Sequence, residues 1–269
     1  MAIQRFIRWA GGKQAIVKTL IEHLPEKYEK LRLIEPFAGA ASLFLNTNFN
    51  SYVLIDKNPH LISTYKNIQK NYLDVFNELE GLKSKHSREF YYSVREDFNE
   101  DHHSSIIQSA RFIYLVQSSF NGIYRVNRKG AFNVPFGKLN AHFPNFENFK
   151  FLHEKLSTTI LLNEDFSIVK KISNKNDFIY FDPPYMALNK TSFFQHYTSD
   201  RFSNVEQKKL AEIANFLSNN DIKIMISSPN LSIMNDLYKD WKITPVGVIR
   251  YVSCKKVRDT VSEIIIRNY

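Results

Sequence analysis

The 269-residue sequence contains a single cysteine, Cys254, which excludes an internal disulfide, a cysteine-based zinc site and an iron–sulfur cluster. A chain of this length hides about three quarters of its unfolded surface on folding and needs no such staple, and a reducing compartment is expected. No apolar run approaches the roughly 18 to 20 residues that a membrane helix requires. The opening Met1-Ala2-Ile3-Gln4-Arg5-Phe6 also lacks the apolar stretch of a signal peptide. A cytoplasmic location with no membrane partner is therefore expected. The eight histidines show no ligand spacing, and His102-His103 reads as a loop, so no metal is assigned. No internal repeat or low-complexity tract is visible, and no Pro/Gly/Ser linker marks a domain border.

What the chain carries in excess is positive charge, 36 Lys and Arg against 27 Asp and Glu, for a formal net charge of +9. Such a balance points to a polyanionic partner such as nucleic acid, although charge alone also occurs on proteins that bind none. The 22 Phe, 14 Tyr and 2 Trp are read mostly as core.

Short apolar runs predict strands at 32–35, 52–55, 159–162, 178–181, 223–226, 244–252 and 261–267. Helical patterns at 14–24, 42–46, 61–71, 205–217 and 232–238 lie among them, with Ser203 placed to cap a helix ahead of Glu206. This alternation implies an α/β fold built on a mostly parallel sheet, its last two strands forming an antiparallel edge hairpin. From about 73 to 115 the patterns are helical with no strand between. The stretch 119–138 then packs Asn121-Gly122, Lys129-Gly130 and Pro135 into a loop or ribbon, the mark of an inserted module.

The first chemical signal is Glu35-Pro36-Phe37-Ala38-Gly39-Ala40-Ala41-Ser42, a strand running straight into small residues and then a helix. In an open parallel sheet a nucleotide-like ligand sits beyond such a turn, and Asp56 ends the next strand 17 residues after Gly39, near the spacing at which an acidic side chain grips ribose hydroxyls. With one glycine in place of three, this is not a dinucleotide fingerprint. A tight turn followed by a solvated aspartate is the plainer alternative.

Phe178-Ile179-Tyr180-Phe181-Asp182-Pro183-Pro184-Tyr185 is the second signal. An apolar strand delivers Asp182, and two prolines stiffen the turn without offering backbone donors. The Asp182 carboxylate and the Pro183 carbonyl are then adjacent acceptors, followed by an aromatic face, a set suited to an exocyclic amine. Two acceptors holding both hydrogens of an adenine N6 favour a pyramidal nitrogen with its lone pair directed at an electrophile, while Tyr185 stacks on the ring. A base in a duplex reaches such a pocket only by being flipped out. Read alone, Asp-Pro-Pro-Tyr could equally be an ordinary turn.

Taken together and in order, these segments resemble the DNA adenine methyltransferases of the Dam type, the D12-like class that uses S-adenosylmethionine. The resemblance covers nearly the whole chain. Phe6-Ile7-Arg8-Trp9-Ala10-Gly11-Gly12-Lys13 is similar to the family's N-terminal cofactor motif, 35–41 to its first sheet motif and 182–185 to its catalytic tetrapeptide. Asn121-Gly122-Ile123-Tyr124-Arg125-Val126-Asn127 and Phe132-Asn133-Val134-Pro135-Phe136-Gly137-Lys138 are similar to its DNA-recognition hairpin.

The resemblance implies a class I S-adenosylmethionine methyltransferase fold, a Rossmann-like seven-stranded sheet with an inserted helical and β-hairpin DNA-recognition domain. It places the catalytic domain at 1–56 and 146–269 and the recognition domain at 57–145. Asp182, Pro183, Pro184 and Tyr185 are the implied catalytic set. Cofactor contacts are expected from Trp9, Ala10, Gly11, Gly12, Lys13, Glu35, Pro36, Phe37, Gly39, Ala40, Ser42, Asp56, Asp165, Phe166 and Asp182. Within that set Lys13 would meet the methionine carboxylate, Asp56 the ribose and Asp165-Phe166 the cofactor adenine. Ala40 and Ala41 stand where the family carries more glycine; alanine adds only a methyl, so retained binding with room for altered affinity is expected.

Arg125 occupies the position of the family's base-reading arginine, and a guanidinium can donate two parallel hydrogen bonds to guanine O6 and N7. Arg8 falls where relatives carry lysine, a substitution that still permits a guanine contact. Phe120 would wedge beside the emptied position with Asn121 in support, and Ile123 and Pro135 would meet thymine methyls. Asn127, Asn133 and the phosphate-binding Lys138 complete the set. For the basic stretch 125–138 a solvated loop is the alternative, and Arg95 and Arg111 read as surface ion-pair members.

The expected activity is therefore site-specific adenine-N6 methylation of double-stranded DNA, most plausibly in GATC, by in-line displacement without a general base. Another short site, RNA, or cytosine N4 are the alternatives. The resemblance further implies a bacterial or phage-encoded, DNA-associated protein, monomeric, with a restriction endonuclease as candidate functional partner.

Overall fold

Strands covered on both faces read as unbroken apolar runs, and the structure places a strand on every run named above. This computed structural model describes residues 5–100, 105–137, 140–184, 202–251 and 260–269. Its strands are β1 Arg32–Glu35, β2 Ser51–Ile55, β3 Ile160–Leu162, β4 Asp177–Phe181, β5 Lys223–Pro229, β6 Lys242–Tyr251 and β7 Thr260–Arg267. Its α-helices are α1 Val17–Glu22, α2 Ser42–Asn46, α3 Pro59–Lys83, α4 Arg88–Glu100, α5 Ile106–Ser118, α6 Phe146–Leu156, α7 Val169–Ile172, α8 Asn204–Ser218 and α9 Ser232–Leu237. Val252, the predicted end of the sixth strand, falls outside the described residues, as do Cys254 and His102-His103.

The strands form one sheet in the order β3-β2-β1-β4-β5-β7-β6. β1 runs parallel to β2 and β4, and β4 parallel to β5. β7 is antiparallel to both β5 and β6, which gives the expected edge hairpin. This is a mostly parallel α/β sheet of the class I S-adenosylmethionine methyltransferase type. All five residues of β4 are buried, as expected of a central strand covered on both faces. No helix among the described residues is long and apolar enough to cross a membrane.

Over the described residues the chain divides into two compact units. One holds the residues up to Gly12 and Asp56–Asn163; the other holds those of Lys13–Ile55, Glu164–Met186 and Phe202–Tyr269. In the first, α3 packs on α5 and α6, and α4 on α5. The second contains β1, β2 and β4 to β7 with the short helices between them.

A charged pair fixes the register of β1 against β4 in that second unit. Arg32 and Asp177 are the first residues of their strands and are register partners. The Arg32 guanidinium donates through Nε and Nη2 to the two Asp177 carboxylate oxygens, both at 2.8 Å. Asp177 is fully buried and accepts a further hydrogen bond from the Asn174 N–H, while Arg32 also donates to the Ile172 carbonyl. These bonds to Asp177 raise the guanidinium pKa above its ordinary value.

Two helices differ from the pattern-based expectation, each for a local reason. The predicted helix 14–24 starts instead as a 3-10 turn, Lys13–Ala15, and its α-helical part closes at Glu22 because Pro25 follows shortly and disfavours helical backbone before it. The predicted helix 61–71 runs from Pro59 to Lys83 and passes a non-helical Asn71 (φ −140°, ψ 47°). Its apolar stripe resumes at Val75 and Leu79, so packing carries the chain past the irregular residue. Asn58 caps this helix, accepting from the His60 and Leu61 N–H groups, with Pro59 in the first turn where its missing donor costs nothing. Ser203 and Glu206 form the expected reciprocal capping box on α8.

Truncation of Asp177 to alanine strands a guanidinium at the base of the sheet. Removing one partner of a buried pair costs about 3–5 kcal/mol, and the partial exposure of Arg32 puts the expected loss at the lower end. Urea unfolding of Asp177→Ala measures it; a midpoint equal to that of the unsubstituted protein contradicts the assignment.

Candidate active site

Parallel pairing of β1 with β4 brings their carboxyl ends to the same edge of the sheet, where ligands of open α/β folds sit. After β1 the chain turns at once into α2. Glu35, almost fully buried, points its Oε1 at the Phe44 N–H in the first turn of α2 (2.7 Å), so a carboxylate satisfies an otherwise orphaned helix donor. Pro36 is buried behind it, and Ser42 opens the helix. The Ala38 N–H donates to the Ile55 carbonyl (2.9 Å), tying the turn to the end of β2.

Within this turn Gly39 has φ +47° and Ala41 has φ +50°. Ala41 therefore holds a left-handed conformation that costs a residue with a Cβ roughly 1–2 kcal/mol, at one of the positions where the resemblance leads one to expect glycine. Ala40 and Ala41 are both buried, so the turn presents backbone and methyl groups only.

The tip of β4 lies beside it. Phe181 ends the strand fully buried, Asp182 follows, Pro183 is buried and Pro184 exposed; Tyr185 lies outside the described residues. The Asp182 carboxylate is paired with the Lys13 ammonium at 2.5 Å, and Lys13 is only 2% exposed. Sequence reasoning assigned both residues to the site but not to each other. A buried ammonium requires a carboxylate at hydrogen-bond distance, which orients Asp182 at the sheet edge.

Phe37 joins these pieces. Its ring packs on Phe181 (6.4 Å between centroids) and stacks on Phe166 (5.1 Å, 29°). Asp165, the N-cap of the turn that carries Phe166, accepts from the Ser167 N–H and lies 3.3 Å from the Lys209 ammonium, which also sits over the Phe166 ring. The structure thus brings together Lys13, the β1–α2 turn, Asp165-Phe166 and Asp182. Lys209 went unread in the sequence because nothing distinguishes it from the other lysines of α8.

Other expected residues belong to the first unit. Trp9, Ala10, Gly11 and Gly12 form a turn closed by a hydrogen bond from the Gly12 N–H to the Trp9 carbonyl, with Gly11 at φ +83°. The indole of Trp9 stacks on Tyr124 (5.9 Å, 12°). Asp56 accepts from the Asn58 N–H, and its backbone carbonyl accepts from the Asn163 side chain. Burial pushes the Tyr124 hydroxyl pKa up, and the charge of Asp56 adds to the rise.

The recognition stretch is a ribbon with isolated antiparallel bridges, Ser119 to Phe136 and Val126 to Phe132. Phe120 is exposed at its head, next to Asn121 in a left-handed conformation. Gly122 is required by close approach: a Cβ there would overlap the aliphatic stem of Arg8. Arg8 is thereby packed against the turn, and its N–H donates to the Gln117 side chain. Arg125 donates through Nε to Asn133 Oδ1 at 2.7 Å and through Nη2 to the Asn133 carbonyl at 3.3 Å. Asn127 turns its carboxamide oxygen inward, accepting from the Lys129 and Ala131 N–H groups. Ile123 is half-buried; Pro135 is exposed and its carbonyl accepts from the Phe120 N–H. Lys138 lies outside the described residues. Arg111 pairs with Asp97, and Arg95 stacks over Tyr92.

Several supporting residues escaped the sequence reading. Asn99 on α4 bonds the Phe132 backbone in both directions, accepting from its N–H and donating to its carbonyl. The Tyr91 hydroxyl donates to the Val134 carbonyl, and Gln117 donates to the Phe6 carbonyl. Their visible signature is an amide or phenol set in an otherwise apolar helix face. Among the described residues no group of three or more His, Cys, Asp or Glu is placed to hold a metal.

A family model for the D12 class N6 adenine-specific DNA methyltransferase matches residues 9–252. The chain is 34% identical to the type II methyltransferase M.MjaIII of Methanocaldococcus jannaschii, with all of both proteins covered. It is 36% identical to a DNA adenine methylase of Salmonella typhi over 92% of this chain and 88% of that one, and 33% identical to a DNA adenine methylase of Haemophilus influenzae over 92% and 87%.

The geometry predicts energetic coupling between Lys13 and Asp182. A double-mutant cycle of Lys13→Met and Asp182→Asn, read by urea unfolding, should return an interaction energy of about 1–3 kcal/mol, whereas additivity within about 0.5 kcal/mol would contradict the pair.

Proposed function

The chain belongs to the D12 class of N6 adenine-specific DNA methyltransferases, and on that premise we propose that it methylates adenine N6 within GATC through Asp182, Pro183, Pro184 and Tyr185. The observation that carries the site assignment is the buried Lys13–Asp182 pair at the β4 tip, beside the small-residue turn after β1. S-adenosylmethionine is the methyl donor of the class and, when bound, supplies an electrophilic methyl on a sulfonium.

The residues present suit such a donor. Lys13 places a buried ammonium at the β4 tip, a charge suited to the carboxylate of an amino-acid head. The Gly39–Ala41 turn presents no side chain beyond a methyl to obstruct it. The Phe37–Phe166 stack with Asp165 at its rim fits an adenine ring and its amino group. Glu35, Pro36, Ala40 and Ser42 shape the turn. Trp9, Ala10, Gly11, Gly12 and Asp56 are assigned to the cofactor from the family resemblance.

The Asp182 carboxylate and the Pro183 carbonyl are the proposed acceptors for the two N6 hydrogens of the target adenine. Held there, the nitrogen lone pair leaves conjugation with the ring and points along the line of displacement, while Tyr185 stacks on the base. Lys13 fixes the Asp182 rotamer, so the acceptors are set before the base arrives. N6 would take the methyl with cleavage of the sulfonium C–S bond, the electron pair staying on sulfur as a neutral thioether, and the surplus N6 proton would then pass to solvent.

For recognition, Arg125 held flat by Asn133 is pre-set for bidentate reading of one guanine, and Arg8 packed on Gly122 is placed for a second. Phe120 is the exposed ring available to fill the emptied stack, and Ile123 and Pro135 supply apolar contact for thymine methyls. Asn127 closes its own turn, so its proposed contribution is shape. The likeness to a type II methyltransferase supports a restriction endonuclease as functional partner.

Sequencing that detects modified bases, on DNA exposed to the protein and S-adenosylmethionine, tests this directly. N6-methyladenine confined to GATC is the expected result; methylation at another motif overturns the specificity, and methyl-cytosine or label only in RNA overturns the acceptor. Arg125→Ala should cost about 1–3 kcal/mol at the cognate site and relax discrimination at one guanine. Unchanged ratios of methylation across near-cognate duplexes would contradict its role.

A further inference from the structure

Tyr124 sits in the recognition turn immediately before Arg125, yet its ring is turned inward. It stacks nearly parallel on Trp9 (5.9 Å, 12°) and packs against Phe112 (5.5 Å), Phe132 (5.6 Å) and His60 (6.4 Å). Phe112 touches the Trp9 indole as well (6.2 Å), so two rings of the first unit hold that indole. We propose that Tyr124 is a positioning residue that couples DNA recognition to cofactor binding, by fixing the indole of Trp9 according to the state of the recognition turn. This rests on the reading of Trp9 as a cofactor contact and of Arg125 as a base reader.

The physical argument is one of shared rigidity. The backbone around Tyr124 has little freedom: Ser119 Oγ donates to the Ile123 carbonyl, the Asn133 N–H donates to the Arg125 carbonyl, and the Arg125 guanidinium lies on Asn133. A guanine that engages Arg125 therefore pins the Tyr124 ring through one peptide unit. The Trp9 indole lies nearly parallel to the Tyr124 ring and also meets Phe112, so these rings set the indole plane. A stacked pair of this kind can transmit about a 2- to 10-fold change in affinity. Coupling is reciprocal: cofactor on the indole tightens DNA by the same factor. Asp56, whose charge acts on the Tyr124 hydroxyl, belongs to the same group and would move with it.

Trp9 and Trp241 are the two tryptophans of the chain, so Trp241→Phe leaves Trp9 as the sole indole reporter. In that background, adding a GATC duplex without cofactor should change the Trp9 emission, and the change should persist in Tyr124→Phe, which keeps the ring, but vanish in Tyr124→Leu. A second measurement is the ratio of duplex Kd without and with saturating S-adenosylhomocysteine. It should be about 2- to 10-fold in the unsubstituted protein and in Tyr124→Phe, and fall to near one in Tyr124→Leu. No emission change in the Trp241→Phe protein, or a ratio unaltered by Tyr124→Leu, overturns the proposal while leaving the methylation assignment intact. Should Tyr124→Leu fail to fold, the emission response in Trp241→Phe and the ratio in Tyr124→Phe decide it. Failure of the underlying reading shows separately, as absence of methyl transfer by the unsubstituted protein.

Discussion

A lysine ammonium that is 2% exposed is tolerated only with a carboxylate against it, and here that carboxylate is Asp182 at the tip of the central strand. The pair has two consequences. It ties Lys13 to the end of β4, and it fixes the rotamer of the side chain proposed to hold the target amine. The proposed catalytic arrangement then depends on where β4 ends relative to β1. That relation is set by parallel register and, at the opposite ends of the two strands, by the bidentate Arg32–Asp177 pair. Two charged pairs at the two ends of one strand thus set its register against β1 and orient Asp182, the proposed acceptor.

The recognition ribbon obeys a different logic. Among the described residues its backbone supplies isolated bridges and scattered cross-ribbon hydrogen bonds in place of a continuous ladder. Side chains from the helices make up the deficit: Asn99 pairs with the Phe132 backbone as a neighbouring strand would, and Tyr91 takes the Val134 carbonyl. Such a ribbon can present Phe120, Arg125 and Pro135 outward because polar groups behind it replace missing strand partners. Membership of the D12 class follows from sequence, but that Arg125, the proposed base reader, is held by Asn133 is visible only in the structure.

Much of the sheet was legible in the sequence because buried parallel strands leave an unbroken apolar run, and β1 is read to the residue. Helices were less legible. α3 continues through Asn71, whose backbone is not helical, because it packs on α5 and α6 and no local pattern encodes those partners. Motifs announced the chemistry of Asp182 and Lys13 separately, but their meeting is a tertiary fact with no local trace. The same holds for Tyr124, which reads as one aromatic among many until its ring is found on Trp9. Ala41 shows the converse: the departure from glycine was visible in sequence, and the structure supplies its cost as a left-handed backbone.

Asp182 is the proposed acceptor that readies the target amine. Single-turnover methyl transfer by Asp182→Ala, with duplex affinity measured in parallel, addresses that directly. Phosphate contacts made elsewhere supply much of the affinity, so binding should stay within about threefold. The rate should fall by about 100-fold or more, as when a preorganised polar group is removed from a reacting centre. Transfer at close to the unsubstituted rate would contradict the central claim.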